Sequence, residues 1–114
     1  MNKMAGAFLI NQVDGVSMSG VEFTHIAEAI RDLLKNQSQE SLEAAYRPMD
    51  EGGMDFVSLE ALDREQFAAF YDAACKAYGN EQRKSPDSPF KISWQNLLDC
   101  LATDPRLDKK HLIL

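Results

Sequence analysis

The chain has 114 residues, 45% of them hydrophobic and 26% charged, which fits one globular domain with a single core and excludes a disordered or fibrous polymer. Eighteen Asp and Glu against twelve Lys and Arg leave a net charge of −6, so the clustered cations that neutralise nucleic-acid phosphates are missing and nucleic acid is not an expected partner. No run approaches the roughly 20 apolar residues that cross a bilayer, and Met4 to Ile10 is short for a secretory signal core, so a cytoplasmic location with Cys75 and Cys100 as free thiols is expected.

The first segment, Ala5 to Val13, holds the cluster Phe8, Leu9 and Ile10, too short for periodicity to separate strand from helix. Asp14-Gly15 marks a turn, and Ser19 followed by Glu22 forms a capping box that predicts a helix over 20–36. Its apolar set is Val21, Phe23, Ile26, Ala27, Ile30, Leu33 and Leu34, with Glu22, Glu28, Arg31, Asp32 and Lys35 outside it. Ser38 or Ser41 caps a shorter helix over 39–46, which Pro48 should end, because the residue before a proline is driven out of the helical region. The next stretch, MDEGGMD, has the only Gly-Gly pair and reads as an exposed loop.

Phe56 to Leu59 suits a brief extended segment, but one continuous helical region over 59–78 is favoured. Within it Phe67, Phe70, Tyr71, Ala74, Cys75 and Tyr78 recur at i, i+3, i+4, i+7, i+8 and i+11, one face of a helix and the richest apolar stripe in the chain. Asp63 and Gln66 form a second capping box, and Gly79 is the expected stop. Asn80 to Ser88 read as a loop, where Ser85-Pro86 and Ser88-Pro89 need no explanation beyond turn chemistry. Ser93 should cap a last helix over 93–102 with Trp94, Leu97, Leu98 and Leu101 buried, ended by Asp104-Pro105. The expected fold is all-α, a single compact domain of about four helices spanning residues 1–114; the alternative is α+β with a small N-terminal hairpin.

No catalytic, metal or cofactor pattern stands out. His25 and Glu28 share a helical face, but a structural zinc takes four ligands and a catalytic one three plus water, and His111 stands alone. The acids around Asp50 and Asp55 lack the spacing of a calcium loop, and Gly52-Gly53 lacks the Lys-Ser or Lys-Thr of a phosphate loop. Cys75 or Cys100 with His25 supplies the residue types of a nucleophile and its base without the strand-turn-helix context, and carboxylate pairs can be chosen from any acidic chain.

The charge is uneven. Residues 38–72 carry nine acids against Arg47 and Arg64, a local net of −7, while the remainder is nearly neutral. Tyr46, Met49, Met54 and Phe56 lie in the same stretch and suit either the core or an interface, since an apolar centre within a charged rim is how tight protein interfaces are built. The expected function is a non-enzymatic, protein-binding one, carried by Glu40, Glu43, Tyr46, Asp50, Glu51, Asp55, Phe56 and Glu60 toward a basic protein partner. The physical picture is an inhibitor whose carboxylates imitate the phosphates that a nuclease attracts, similar in this general respect to bacterial toxin-immunity proteins. A plainer reading makes the same acids a solvated face that maintains solubility. A secretion chaperone or adaptor that holds a client in an apolar groove also fits a small acidic chain, as does a small enzyme using a cysteine or a carboxylate pair. No cofactor and no membrane are expected.

Overall fold

The computed structural model describes residues 5–107; His111, named above, lies outside them. Strand β1 (Ala5–Leu9) pairs antiparallel with β2 (Gly15–Ser19), with Phe8 opposite Val16 and Gly6 opposite Met18. A third strand, β3 (Phe56–Ser58), joins the other side of β1 in parallel, with Phe8 opposite Val57, giving the order β2-β1-β3. The all-α expectation is thereby overturned in favour of α+β, with the N-terminal hairpin extended by one strand. Such short strands carry no decisive period. β3 owes its conformation to β1: Ala7 N–H donates to Asp55 O at 3.2 Å, and Leu59 N–H to Leu9 O at 2.8 Å.

Four helices complete the fold: α1 (Gly20–Gln37), α2 (Gln39–Gly52), α3 (Arg64–Lys84) and α4 (Lys91–Ala102). Both expected capping boxes form, Ser19 with Glu22 and Asp63 with Gln66. Of the two serines offered as caps for α2, Ser38 takes the position, and the buried Ser41 hydroxyl donates to Gln66 O at 3.1 Å, tying the start of α2 to the first turn of α3.

Several boundaries differ from expectation. Pro48 does not end α2. Its missing N–H removes one helical bond, but the final turn is retained through Met49, packed on the core, and a glycine cap. Gly53 adopts φ 64° and donates to Met49 O, and Met54 N–H reaches back to Pro48 O. The first half of MDEGGMD is therefore helix, not loop. Likewise α3 begins at Arg64, with β3 and a turn occupying 56–63, and runs through Gly79 to Lys84. A glycine inside a helix costs about 1 kcal/mol relative to alanine, less than the last turn recovers through Glu81, which accepts hydrogen bonds from Ser88 and Trp94. The last helix starts two residues before Ser93, whose hydroxyl donates to Glu22 Oε2 at 2.9 Å instead of capping.

One hydrophobic cluster gathers the inner face of the sheet, Phe8, Met18 and Val57, with Ile26, Ile30 and Leu34 of α1, Phe67 and Phe70 of α3 and Trp94, Leu97 and Leu101 of α4. Each large side chain so buried stabilises by roughly 1.5–3 kcal/mol. Val21, assigned to the apolar face of α1, is 71% exposed: two residues from Phe23 it points to the opposite side. After α4, Arg106 reaches inward over the Phe67 ring, with all five guanidinium N–H groups engaged by Asp104 and the carbonyls of Ile10, Leu59 and Leu62. This clasp joins the exits of β1 and β3 to the C-terminal end of the chain described.

Candidate partner-binding surface

Helices α1 and α2 meet through the single residue Ser38 and run side by side, crosslinked where Arg31 donates to Asp50 Oδ1 at 2.9 Å. The Arg31 guanidinium lies 4.4 Å over the Tyr46 ring. Tyr46 itself is fully buried, its hydroxyl donating to Ala27 O at 2.6 Å and its phenol pushed well above the ordinary range by desolvation. Of the eight partner-binding residues expected from the sequence, Tyr46 is thus a core residue joining α2 to α1.

The remaining seven divide by position. Glu40, Glu43, Asp50 and Glu51 are all exposed and follow one side of α2, at angular steps that keep them within about a third of a turn. Arg47 lies in the middle of this stripe and pairs with Glu51 at 3.6 Å. Among the described residues, no cation stands within ion-pair distance of Glu40, Glu43 or Asp55. Asp55 stands at the entrance of β3, close to the end of α2, whereas Glu60 follows its exit, roughly 15 Å further along an extended chain. Phe56 is half-buried on the face of the sheet opposite Phe8 and Val57. The structure therefore lines up the α2 acids on one side of that helix and places Asp55, Phe56 and Glu60 along and beyond β3 instead.

Two hollows flank the α1–α2 hairpin. One, of about 620 Å³, opens between the N-terminal turn of α1 and the C-terminal end of α2 and is lined by Val21, Phe23, Thr24, Met49 and Asp55 among others. Met54, one residue before Asp55, is 52% exposed. The sequence singled out Met49 and Met54 but put Val21 in the core. The second, of about 490 Å³, lies between α1 and the end of α3. There His25 Nε2 donates to Glu81 Oε1 at 2.5 Å, and Glu81 Oε2 accepts from Ser88 and from Trp94 Nε1. Burial pushes the Glu81 carboxyl up, but these hydrogen bonds outweigh it and hold the group below the ordinary carboxylate range. Sequence spacing paired His25 with Glu28; tertiary packing pairs it with a residue 56 positions away.

Among the described residues no three His, Cys, Asp or Glu side chains converge on a metal-sized site, and no helix is long and apolar enough to cross a membrane. Both thiols are half-buried, and burial pushes each above its ordinary value, the opposite of an activated nucleophile.

No protein-family model matches the sequence. The chain is 28% identical over 104 residues to "Immunity protein CdiI" of Burkholderia pseudomallei, an alignment covering 91% of this chain and 95% of that protein. It also matches one chain of the solved structure "CdiA-CT toxin from Burkholderia pseudomallei E479 in complex with cognate CdiI immunity protein", at a TM-score of 0.84 and 26% identity, over 90% of this chain and 99% of that one. The likeness to this toxin–immunity system thus extends over nearly all of each chain, in sequence as in fold.

Proposed function

We infer that this chain is a toxin-neutralising immunity protein. The observation that carries the reading is the near end-to-end similarity to an immunity protein, joined to a fold match within a toxin–immunity complex. The chain acts by binding and holds the toxin in an inactive complex without chemistry of its own; burial pushes both thiols up, away from an activated nucleophile, which suits that role.

The toxin it binds is basic, and the exposed side of α2 meets it. Eleven residues of helix separate Glu40 from Glu51, about 17 Å, so the acids present a stripe of two pairs, Glu40 with Glu43 and Asp50 with Glu51, each pair within the ~8 Å Debye length at physiological salt. Such a stripe attracts a cationic surface, speeds encounter and sets orientation. Asp50 and Glu51 are partly matched by Arg31 and Arg47, so Glu40, Glu43 and Asp55 carry most of the unmatched charge.

The test is growth rescue. CdiA-CT toxin domains, the Burkholderia pseudomallei E479 domain among them, are induced in bacteria with and without the chain. Rescue and a co-purifying complex with at least one toxin are expected. Unprotected growth arrest with every toxin domain tested sinks the reading. A Glu40→Lys/Glu43→Lys/Asp55→Lys variant should lose affinity at least tenfold at low salt, with a smaller loss at high salt; unchanged affinity at low salt removes the electrostatic part and leaves the immunity role standing.

A further inference from the structure

The hollow between the start of α1 and the end of α2 has apolar walls where a solvated acidic face would have none. Val21, which lines it, is 71% exposed, and Met54, one residue before the lining Asp55, is 52% exposed. Met49 and the buried Phe23 line the hollow, and Gly6 of β1 lets Phe23 lie flat against the strand, since a Cβ there would sit 2.6 Å from Phe23 Cβ. The wall is therefore built from rigid elements on both sides, the first turn of a capped helix and the last turn of a helix closed by Gly53.

The lip is acidic. Asp55 borders the hollow with no described cation in ion-pair distance; Glu28, also without a described cation partner, stands beyond the lining, about 10 Å along α1 on the same side as Val21. An apolar floor with unmatched carboxylates at its edge complements one kind of occupant: an apolar side chain flanked by lysine or arginine. A second acidic copy of this chain would bring carboxylates onto carboxylates.

Resting on the immunity reading above, we propose that this hollow is the central anchor site for the toxin, receiving an apolar side chain from a basic segment while Asp55 and Glu28 pair with the flanking cations. Apolar anchors in the centre of an interface dominate the dissociation rate, whereas rim charges govern the association rate and its salt dependence. The α2 stripe steers, and the hollow holds.

The experiment measures binding of the toxin selected in the growth-rescue assay to wild-type chain and to Val21→Lys, Met54→Lys, Asp55→Lys and Ile92→Lys variants, at low and high salt. Ile92 is as exposed as Val21 but stands on α4, and serves as the control for adding a cation to an exposed apolar position. Val21→Lys and Met54→Lys are expected to raise Kd at least tenfold at both salt concentrations, chiefly through faster dissociation. Ile92→Lys should stay within twofold, and Asp55→Lys should slow association at low salt. All four positions are exposed, so unchanged thermal melting is expected and separates binding from folding. Wild-type affinity in Val21→Lys and Met54→Lys overturns the anchor site while leaving the immunity role intact. A wild-type homodimer that Val21→Lys dissociates, with toxin affinity unchanged, also overturns it, by assigning the hollow to a second copy. A wild-type chain that binds no toxin overturns both readings together.

Discussion

The parallel pair β1–β3 has two ends, and charged residues are used differently at each. At the exit end, where Ile10 and Leu59 leave the sheet, Arg106 is largely buried and every guanidinium donor is satisfied, with Asp104 4% exposed beside it. At the entrance end, where Ala5 and Asp55 join it, Asp55 is exposed and unpaired among the described residues, next to an apolar hollow. Burial decides the difference: an enclosed charge must be matched at once or it unfolds the chain, whereas an exposed one costs little and remains available to another molecule. The first end maintains the fold, and the second is free to bind.

Substitutions can break or sharpen that contrast. The largest effect is expected at the clasp: Arg106→Ala leaves the buried Asp104 carboxylate without its countercharge and removes the guanidinium donors from three backbone carbonyls, and should destabilise by about 3–5 kcal/mol in chemical denaturation. Arg106→Lys, with a point charge in place of a planar fork, should recover only part of this. Acid should act on the same end. Burial raises the Asp104 carboxyl, but bonds from Arg106 and Asn11 more than offset it and bring the group from 3.8 to about 2. Because the folded pKa is depressed, this stabilisation is complete above pH 4 and disappears as pH falls toward 2, a loss of roughly 2.5 kcal/mol. Asp104→Asn should flatten the pH dependence of unfolding in that window; an unchanged slope would show that the clasp does not titrate.

Under the hollow, Gly6→Ala should force Phe23 out of place and lower stability by roughly 1–3 kcal/mol, seen as a reduced Tm. Gly79→Ala should do the reverse, because its Cβ would meet only Arg83 Nη1 at 3.9 Å and the residue sits inside α3; a gain of roughly 0.5–1 kcal/mol is expected. Smallest of all, Glu40→Lys/Glu43→Lys should leave unfolding within about 0.5 kcal/mol of the parent, while it weakens toxin binding. A larger loss of stability would show that the α2 stripe supports the fold as well as the surface.

The two glycines and Pro48 also show where reading the chain alone stops. Capping boxes at Ser19–Glu22 and Asp63–Gln66 were legible because both partners lie three residues apart, within the reach of one helical turn. The long apolar stripes of α1 and α3 were legible for the same reason, since a 3.6-residue period repeats over several turns. Helix ends were not. Gly79 and Pro48 weaken a helix locally, and whether it stops there depends on what its next turn touches: Glu81 against Ser88 and Trp94 in one case, Met49 against the core in the other. Of the candidate surface, the acids of α2 do stand exposed, but Tyr46, which the sequence left between interface and core, is buried, and Val21 is exposed where the sequence put it in the core.

By itself, then, the sequence determined four helical segments, two of their N-terminal caps and the concentration of acid between residues 38 and 72. These follow from short-range spacing and from composition. Only the tertiary structure decided that Phe56–Ser58 is a strand, that Arg106 closes the exit end of the sheet and that Val21 and Met49 face one hollow. Each of those depends on partners between 28 and 96 residues apart, a separation at which no local period or propensity carries information.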